Sequence, residues 1–355
     1  MSAYIIAEAG VNHNGSLDRA LRLVDAALAA GADAVKFQTF KAANLVSRSA
    51  PKAEYQQRLT DAAESQFEMI RKLELDEAAH RRLIDHCKAG GIEFISTPFD
   101  LESVGLLARL GVRRLKLPSG ELTNGPLLWT AANTGLPIIL STGMARLGEI
   151  EEALGVLACG YLGITPTGRS MLSGVFGSAE GQRVLGQRVM LLHCTTEYPA
   201  PAADVNLRAM DTLKHAFGLP VGFSDHTEGL AVAVAAVARG AALVEKHFTL
   251  DRNLPGPDHQ ASLEPGELKA MITAIRTAES ALGSAVKGPA ASEQKNMSVA
   301  RKSLVALTSI RAGEAFTQEN LGAKRPGSGV SPMEFWDWLN RSATRGYQAD
   351  DIIVS

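Results

Sequence analysis

Short apolar runs alternate with longer amphipathic stretches almost from the first residue of the chain. Eight runs read as strands: Tyr4–Ala9, Ala34–Gln38, Ile92–Thr97, Arg114–Pro118, Ile138–Ser141, Val189–Cys194, Val221–Ser224 and Leu243–His247. Segments between them, such as "LDRALRLVDAALAAG", "DEAAHRRLIDHCKAGG" and "EGLAVAVAAVARGA", read as helices. Several end in glycine, which tolerates the left-handed backbone of a helix end. Strand–helix alternation demands parallel strands, because each crossover returns the chain to the same edge. Eight such strands are the number that closes a (β/α)8 barrel.

A doubly wound open sheet is the rival, but no G-x-G-x-x-G follows the first strand. Polar residues instead recur at the C-terminal ends of nearly every strand: Glu8, Lys36, Gln38, Thr97, Lys116, Ser119, Ser141, His193, Ser224, His226 and His247. An open sheet concentrates its site at one switch point, whereas a barrel gathers residues all around its rim. The expected fold is therefore α/β, a TIM barrel.

Two stretches break the rhythm. Leu45 to Leu73 is long and polar, and Tyr161 to Arg188 is rich in Gly and Ser. Both are expected as insertions on barrel loops, serving as lids or partner surfaces. After a helix ending near Gly283, "KGPAASEQKNMSVARKS" reads as a linker. The expected division is a barrel over 1–285, a linker over 286–302 and a small domain over 303–355. A tail of roughly fifty-five residues is near the lower limit for its own core, so it is expected to lean on the barrel or a second subunit.

With 355 residues, 46% of them hydrophobic, the chain can bury one large core and a small one. A formal net charge of −2 argues against a general nucleic-acid binder, although a local basic pocket remains open. Three cysteines without metal-ligand spacing point to a reducing compartment and no disulfide framework. The opening "MSAYIIAEAG" has neither a basic n-region nor a long apolar run, so no signal peptide or membrane span is expected. The expected location is cytoplasmic.

His226 in "GFSDHTEG" and His247 in "VEKHFTL" fall at the ends of adjacent predicted strands, about 5 Å apart per strand spacing. Two such imidazoles can share a divalent metal. Period-two alternation places Ser224 on the face of His226 and Glu245 on the face of His247. Taken singly, each is as readily a hydrogen-bonded histidine of no catalytic role. Lys36 and Lys116, amid Thr97, Ser119, Ser141 and Ser224, are costly at strand ends unless an anion or carboxylate neutralises them. The hydroxyls supply donors for phosphate or carboxylate oxygens. An internal ion pair with Glu8 or Glu121 is one rival, and a Schiff-base lysine of lowered pKa is another. Asp258 in "PGPDH" reads either as a positioned acid or as a solvated residue on a proline-stiffened loop. Likewise "IAEAGVNHNG" and "KRPGSG" read either as site loops or as turns.

Together these segments, with "GADAVKFQTFK", "EFISTPFD", "LKLPSGE", "PIILSTGM" and "LLHCTTEYPAP", resemble the sialic acid synthase family in order along nearly the whole chain. The resemblance implies a (β/α)8 barrel with a C-terminal antifreeze-like (SAF) domain in a domain-swapped homodimer. It implies condensation of phosphoenolpyruvate with an N-acylated mannose-type sugar, aided by a divalent metal, Mn2+ before Mg2+ or Co2+. Position by position, it makes His226 and His247 the metal ligands. Lys36, Thr97, Lys116, Ser119, Ser141 and Ser224 match the residues that hold phosphoenolpyruvate. Glu8, Gln38, Glu121, Tyr198 and Asp258 match positions facing the sugar or the reacting carbons; in the reaction so implied, Glu8 is the first candidate, and Glu245 the second, for steering the water or stabilising the cationic carbon. Arg325 matches the SAF arginine that reaches the sugar's acylamino group.

"CTTEYP" carries Thr196 where the neuraminate-forming branch commonly has Asn. "APKAEYQ", "ESQFEMIRKLEL" and "HCTTEYPAP" look most like the branch forming N,N'-diacetyllegionaminate from 2,4-diacetamido-2,4,6-trideoxymannose. N-acetylneuraminate and pseudaminate synthesis are the alternatives within the family, and a non-catalytic sugar-binding protein is the alternative outside it.

Overall fold

The computed structural model describes residues 2–48, 50–52 and 64–354. Eight parallel strands form one sheet: β1 (Tyr4–Gly10), β2 (Ala34–Thr39), β3 (Glu93–Pro98), β4 (Leu115–Leu117), β5 (Ile138–Ser141), β6 (Val189–Cys194), β7 (Val221–Asp225) and β8 (Leu243–His247). Their hydrogen-bonded order is β3-β2-β1-β8-β7-β6-β5-β4, and β3 packs against β4 across the remaining seam. The sheet thus curls into the expected barrel, with β4 its shortest strand at three residues.

Alternation along each strand explains both the core and the site. Inward positions near the N-terminal ends are apolar: Ile6, Ala34, Ile95, Ile139, Leu192 and Leu243 form the barrel interior. Two or four residues on, the same face turns polar at Glu8, Lys36, Gln38, Thr97, Ser141, Glu245 and His247. Outward positions such as Ile5, Val35, Leu115, Leu117, Leu140, Leu191 and Val244 pack under the surrounding helices in the larger core. One face of each strand therefore serves as packing at its start and as chemistry at its end.

Two expectations are corrected. Residues 161–188 do not form a rim loop. They carry helices Arg169–Phe176 and Ala179–Arg188, which pack on helix Leu147–Tyr161 before the chain enters β6. Gly155 makes this possible, because a Cβ there would lie 2.7 Å from the Leu172 carbonyl oxygen. Similarly, the expected linker 286–302 contains helix Ala291–Ala300. In the 45–73 stretch, helices Ala42–Leu45 and Gln66–Arg71 flank residue 49 and residues 53–63, which lie outside the described residues with most of "APKAEYQ".

The chain divides into two compact units, 1–283 and 284–355. The second has antiparallel strands β9 (Ser303–Ala306) and β10 (Leu321–Lys324) and its own core, including Leu304, Ile310, Phe316, Tyr347 and Ile353. All three cysteines are free and buried, and no described helix is long and apolar enough to cross a membrane.

Candidate active site

The C-terminal mouth of the barrel holds a cavity of about 350 Å³, within the usual span of small-molecule sites. At its floor four charged residues from four strands meet, all buried. Lys36 pairs with Glu8, lies 3.7 Å from Glu245 and donates to Thr97 Oγ1 at 3.0 Å. Lys116 lies 3.5 Å from Glu245. The anticipated internal ion pair therefore exists, with Glu8 rather than Glu121, and it lines the cavity rather than replacing it.

The two acids differ in environment. Burial pushes Glu8 up to about 7 against the pull of Lys36. Burial acts on Glu245 too, but Lys116 and Lys36 outweigh it and hold its carboxyl below the usual range. Burial also opposes the Lys36 ammonium, yet Glu245 and Glu8 keep it charged, above the ordinary lysine value. Lys116 is pulled below its ordinary value by burial, which Glu245 only partly offsets. A carboxyl that titrates near neutrality beside one that stays ionised is the division general acid–base chemistry requires.

His226 and His247 extend from β7 and β8 with ring centroids 5.6 Å apart. The Tyr198 ring lies 4.2 Å from His226 and edge-on to His247 at 5.6 Å. His226 Nδ1 donates to the Thr195 carbonyl at 2.6 Å, which leaves Nε2 with its lone pair, and Ser224 Oγ lies 3.4 Å from it. Burial pushes both imidazoles below their ordinary value, so both are neutral. His247 Nδ1 is buried without a hydrogen-bond partner, as is Glu245 Oε2. Neutral rings with available nitrogens suit a borderline cation. Among the described residues no group of three or more His, Cys, Asp or Glu forms a complete cage, so water or substrate oxygens would fill the shell.

The hydroxyls ring the lysines. Ser224 Oγ donates to Glu245 Oε1 at 2.8 Å, Ser119 Oγ accepts from Gly143 N at 3.0 Å, and Ser141 Oγ is buried with no protein partner. Gly143 permits the close approach, since a Cβ there would fall 2.4 Å from Thr196 Oγ1 and 2.8 Å from Ser119 Oγ. Gly10 plays the same part on the other side. Its φ is +52°, and the register of β1 slips between Glu8 and Gly10. A Cβ there would meet Glu8, Gln38 and Asp258.

Asp258 is not a solvated acid: it is 8% exposed, lines the cavity, and burial raises its carboxyl to about 6. Its loop is stitched to the "VNHNG" turn as well as stiffened by proline. Asn12 donates to the Phe248 carbonyl and Ser262 Oγ, Asn14 donates to the Pro255 carbonyl, and His259 Nε2 lies 3.1 Å from Asn14 Oδ1.

The cavity gathers every anticipated residue except Glu121 and Arg325. Glu121 is half-buried outside the lining, where it accepts from Asn124 Nδ2 at 2.6 Å. Arg325 is exposed at the end of β10 in the second unit. His193 is also corrected: it faces outward beside Phe223, and its Nε2 lies 2.6 Å from the Val205 carbonyl oxygen. The inward residue at that strand end is Cys194, whose Sγ lies 3.1 Å from Ser119 Oγ. Counting by twos from Leu192 would have found it.

Sequence comparison agrees with this geometry. The NeuB family model matches residues 23–287. The chain belongs to the NeuB family. It is 52% identical over 349 residues to the N,N'-diacetyllegionaminic acid synthase of Campylobacter jejuni, covering 98% of both chains. It is 46% identical to the enzyme of the same name from Legionella pneumophila, covering 94% of this chain and 88% of that one. Among solved structures, the N-acetylneuraminic acid synthetase of Leptospira borgpetersenii in complex with citrate superposes with a TM-score of 0.66. It shares 34% identity and covers 83% of this chain and 90% of its own.

Proposed function

We propose that this NeuB-family chain is a phosphoenolpyruvate-dependent nonulosonic acid synthase. It condenses phosphoenolpyruvate with 2,4-diacetamido-2,4,6-trideoxymannose and water to give N,N'-diacetyllegionaminate and phosphate. The observation that carries the reading is one cavity joining an anion site, Lys36 and Lys116 amid hydroxyls, to an acid pair of split character, in a chain that matches two diacetyllegionaminate synthases over 98% and 94% of its length. The N-acetylneuraminate and pseudaminate alternatives find less support, since a pseudaminic acid synthase of Campylobacter jejuni is only 32% identical. A non-catalytic sugar binder would have no use for the buried charges.

The residues divide the work. Lys36 and Lys116 neutralise the phosphate dianion, and Thr97, Ser119, Ser141 and Ser224 fix its orientation. Carbon 3 of phosphoenolpyruvate attacks the open-chain aldehyde of the sugar, forming the carbon–carbon bond and leaving positive charge on carbon 2. Ionised Glu245 stabilises that charge. Glu8 accepts a proton as water adds to carbon 2, the alkoxide formed from the aldehyde takes up one proton in exchange, and the tetrahedral intermediate expels phosphate as its carbon-2 hydroxyl gives up its proton to become the ketone. Asp258, Gln38 and Tyr198 orient the sugar. His226 and His247 would hold a divalent cation, Mn2+ before Mg2+ or Co2+, which would supply Lewis-acid polarisation of a carbonyl oxygen when bound. The Schiff-base alternative is disfavoured at Lys36, whose ammonium is held charged by two carboxylates.

The test is phosphate release with phosphoenolpyruvate, Mn2+ and a panel of N-acylated mannose-type sugars, with product masses determined. Release with the 2,4-diacetamido sugar and a product of diacetyllegionaminate mass is expected. A preference for N-acetylmannosamine would transfer the assignment to neuraminate synthesis.

A further inference from the structure

The cavity has two unlike halves. Its floor is charged, whereas the wall above β2 and β3 is apolar. Phe40, Leu45 and Val46 follow the end of β2, Phe99 follows the end of β3, and Ile70 comes from helix Gln66–Arg71. Leu45, Val46, Ile70 and Phe99 are only half-buried, so they present apolar surface to the cavity instead of closing over it. Among the described residues, Gln66 is the one polar side chain that residues 40–73 add to the lining, and none is charged. On the β5 side of the mouth stands Met144, 71% exposed with a left-handed φ of +63°. Methionine seldom adopts that backbone, and such strain persists where the surroundings hold it for use.

We infer that this wall, with Met144, selects the sugar by its carbon-6 end, accepting a methyl group and rejecting a hydroxymethyl or phosphorylated one. The inference rests on the proposed reaction. Phosphoenolpyruvate lies against the lysines, so the sugar's aldehyde carbon is at the floor and its carbon-6 end extends past the strand ends toward the wall. A methyl group there needs no partner. Among the described residues a hydroxyl gives up its water to a wall whose one polar side chain is Gln66, and a phosphate dianion, with no cation in that wall, fares far worse. An apolar pocket rejects an added hydroxyl by about 100-fold at best, and a 6-phosphate is excluded more strongly.

A matched pair of sugars isolates the effect: 2,4-diacetamido-2,4,6-trideoxymannose and its 6-hydroxy counterpart, which differ by one oxygen. The wild-type kcat/KM should favour the deoxy sugar by about 10–100-fold. Ile70→Ser and Leu45→Ser should shrink that ratio several-fold through the KM of the deoxy sugar, with the KM for phosphoenolpyruvate unchanged. Met144→Ser, at an exposed position where folding is not at stake, should shift the ratio the same way. Equal use of both sugars by the wild type, or a ratio unmoved in all three active variants, would overturn the inference and leave the reaction assignment standing. If the wild type binds phosphoenolpyruvate but releases no phosphate with either sugar, the sugar assignment fails and this inference fails with it.

Discussion

Glu8 and Glu245 are two carboxylates on neighbouring strands that share Lys36, yet burial dominates one and two lysines dominate the other. If Glu8 moves the proton of the attacking water, Glu8→Gln should lower kcat by about 100-fold or more with little change in phosphoenolpyruvate KM. Rapid-quench phosphate release measures this. A different residue contributes to acid stability. His13 is fully buried, its Nδ1 accepts from Gly15 N at 3.0 Å, and burial lowers it to about 4. Between its unfolded value near 6.5 and about 4, the unfolded chain binds the extra proton, so stability is lost as pH falls through that window. The contribution is at most about 3 kcal/mol, and His13→Gln should lack it when urea midpoints are compared at pH 7 and 4.5. Glu8 has the opposite sign, because its folded value is raised, so the difference between the two proteins isolates the histidine.

At the scale of elements, the barrel was legible because strand period and strand ends carry different information. Alternation placed Ser224 with His226 and Glu245 with His247, and the structure joins Ser224 to Glu245 directly. Lys246, one position off that parity, faces away from the site. Lys246 and Asp225 form a buried ion pair of 2.9 Å across β7 and β8, behind the two histidines. Lys246→Met should therefore destabilise the fold by about 3–5 kcal/mol by stranding Asp225, and adding Asp225→Asn should recover much of it. Denaturant unfolding of the single and double variants reads this out. What the sequence hid was tertiary. Nothing local marks Asn14 and His259 as partners 245 positions apart, or turns the Gly- and Ser-rich 161–188 stretch into packed helices. His193 misled because its polarity was read without its parity.

For the whole molecule, each of the two units has its own core, while 261 of the 265 residues of the family match and all the cavity lining named above belong to the first. If Arg325 reaches the sugar's acylamino group from a second copy of the chain, as the family resemblance implies, its loss has a distinct kinetic signature. Arg325→Ala should then raise the sugar KM at least tenfold while leaving that of phosphoenolpyruvate unchanged, in steady-state assays at saturating cosubstrate. Chelation should abolish turnover, and Mn2+ should restore it. The central claim is that water adds to carbon 2 of phosphoenolpyruvate after carbon–carbon bond formation, so that the bridging oxygen leaves with phosphate. Turnover in heavy-oxygen water tests it most directly. The released phosphate should carry no label, whereas one heavy oxygen per phosphate would mean phosphorus–oxygen cleavage and contradict the account.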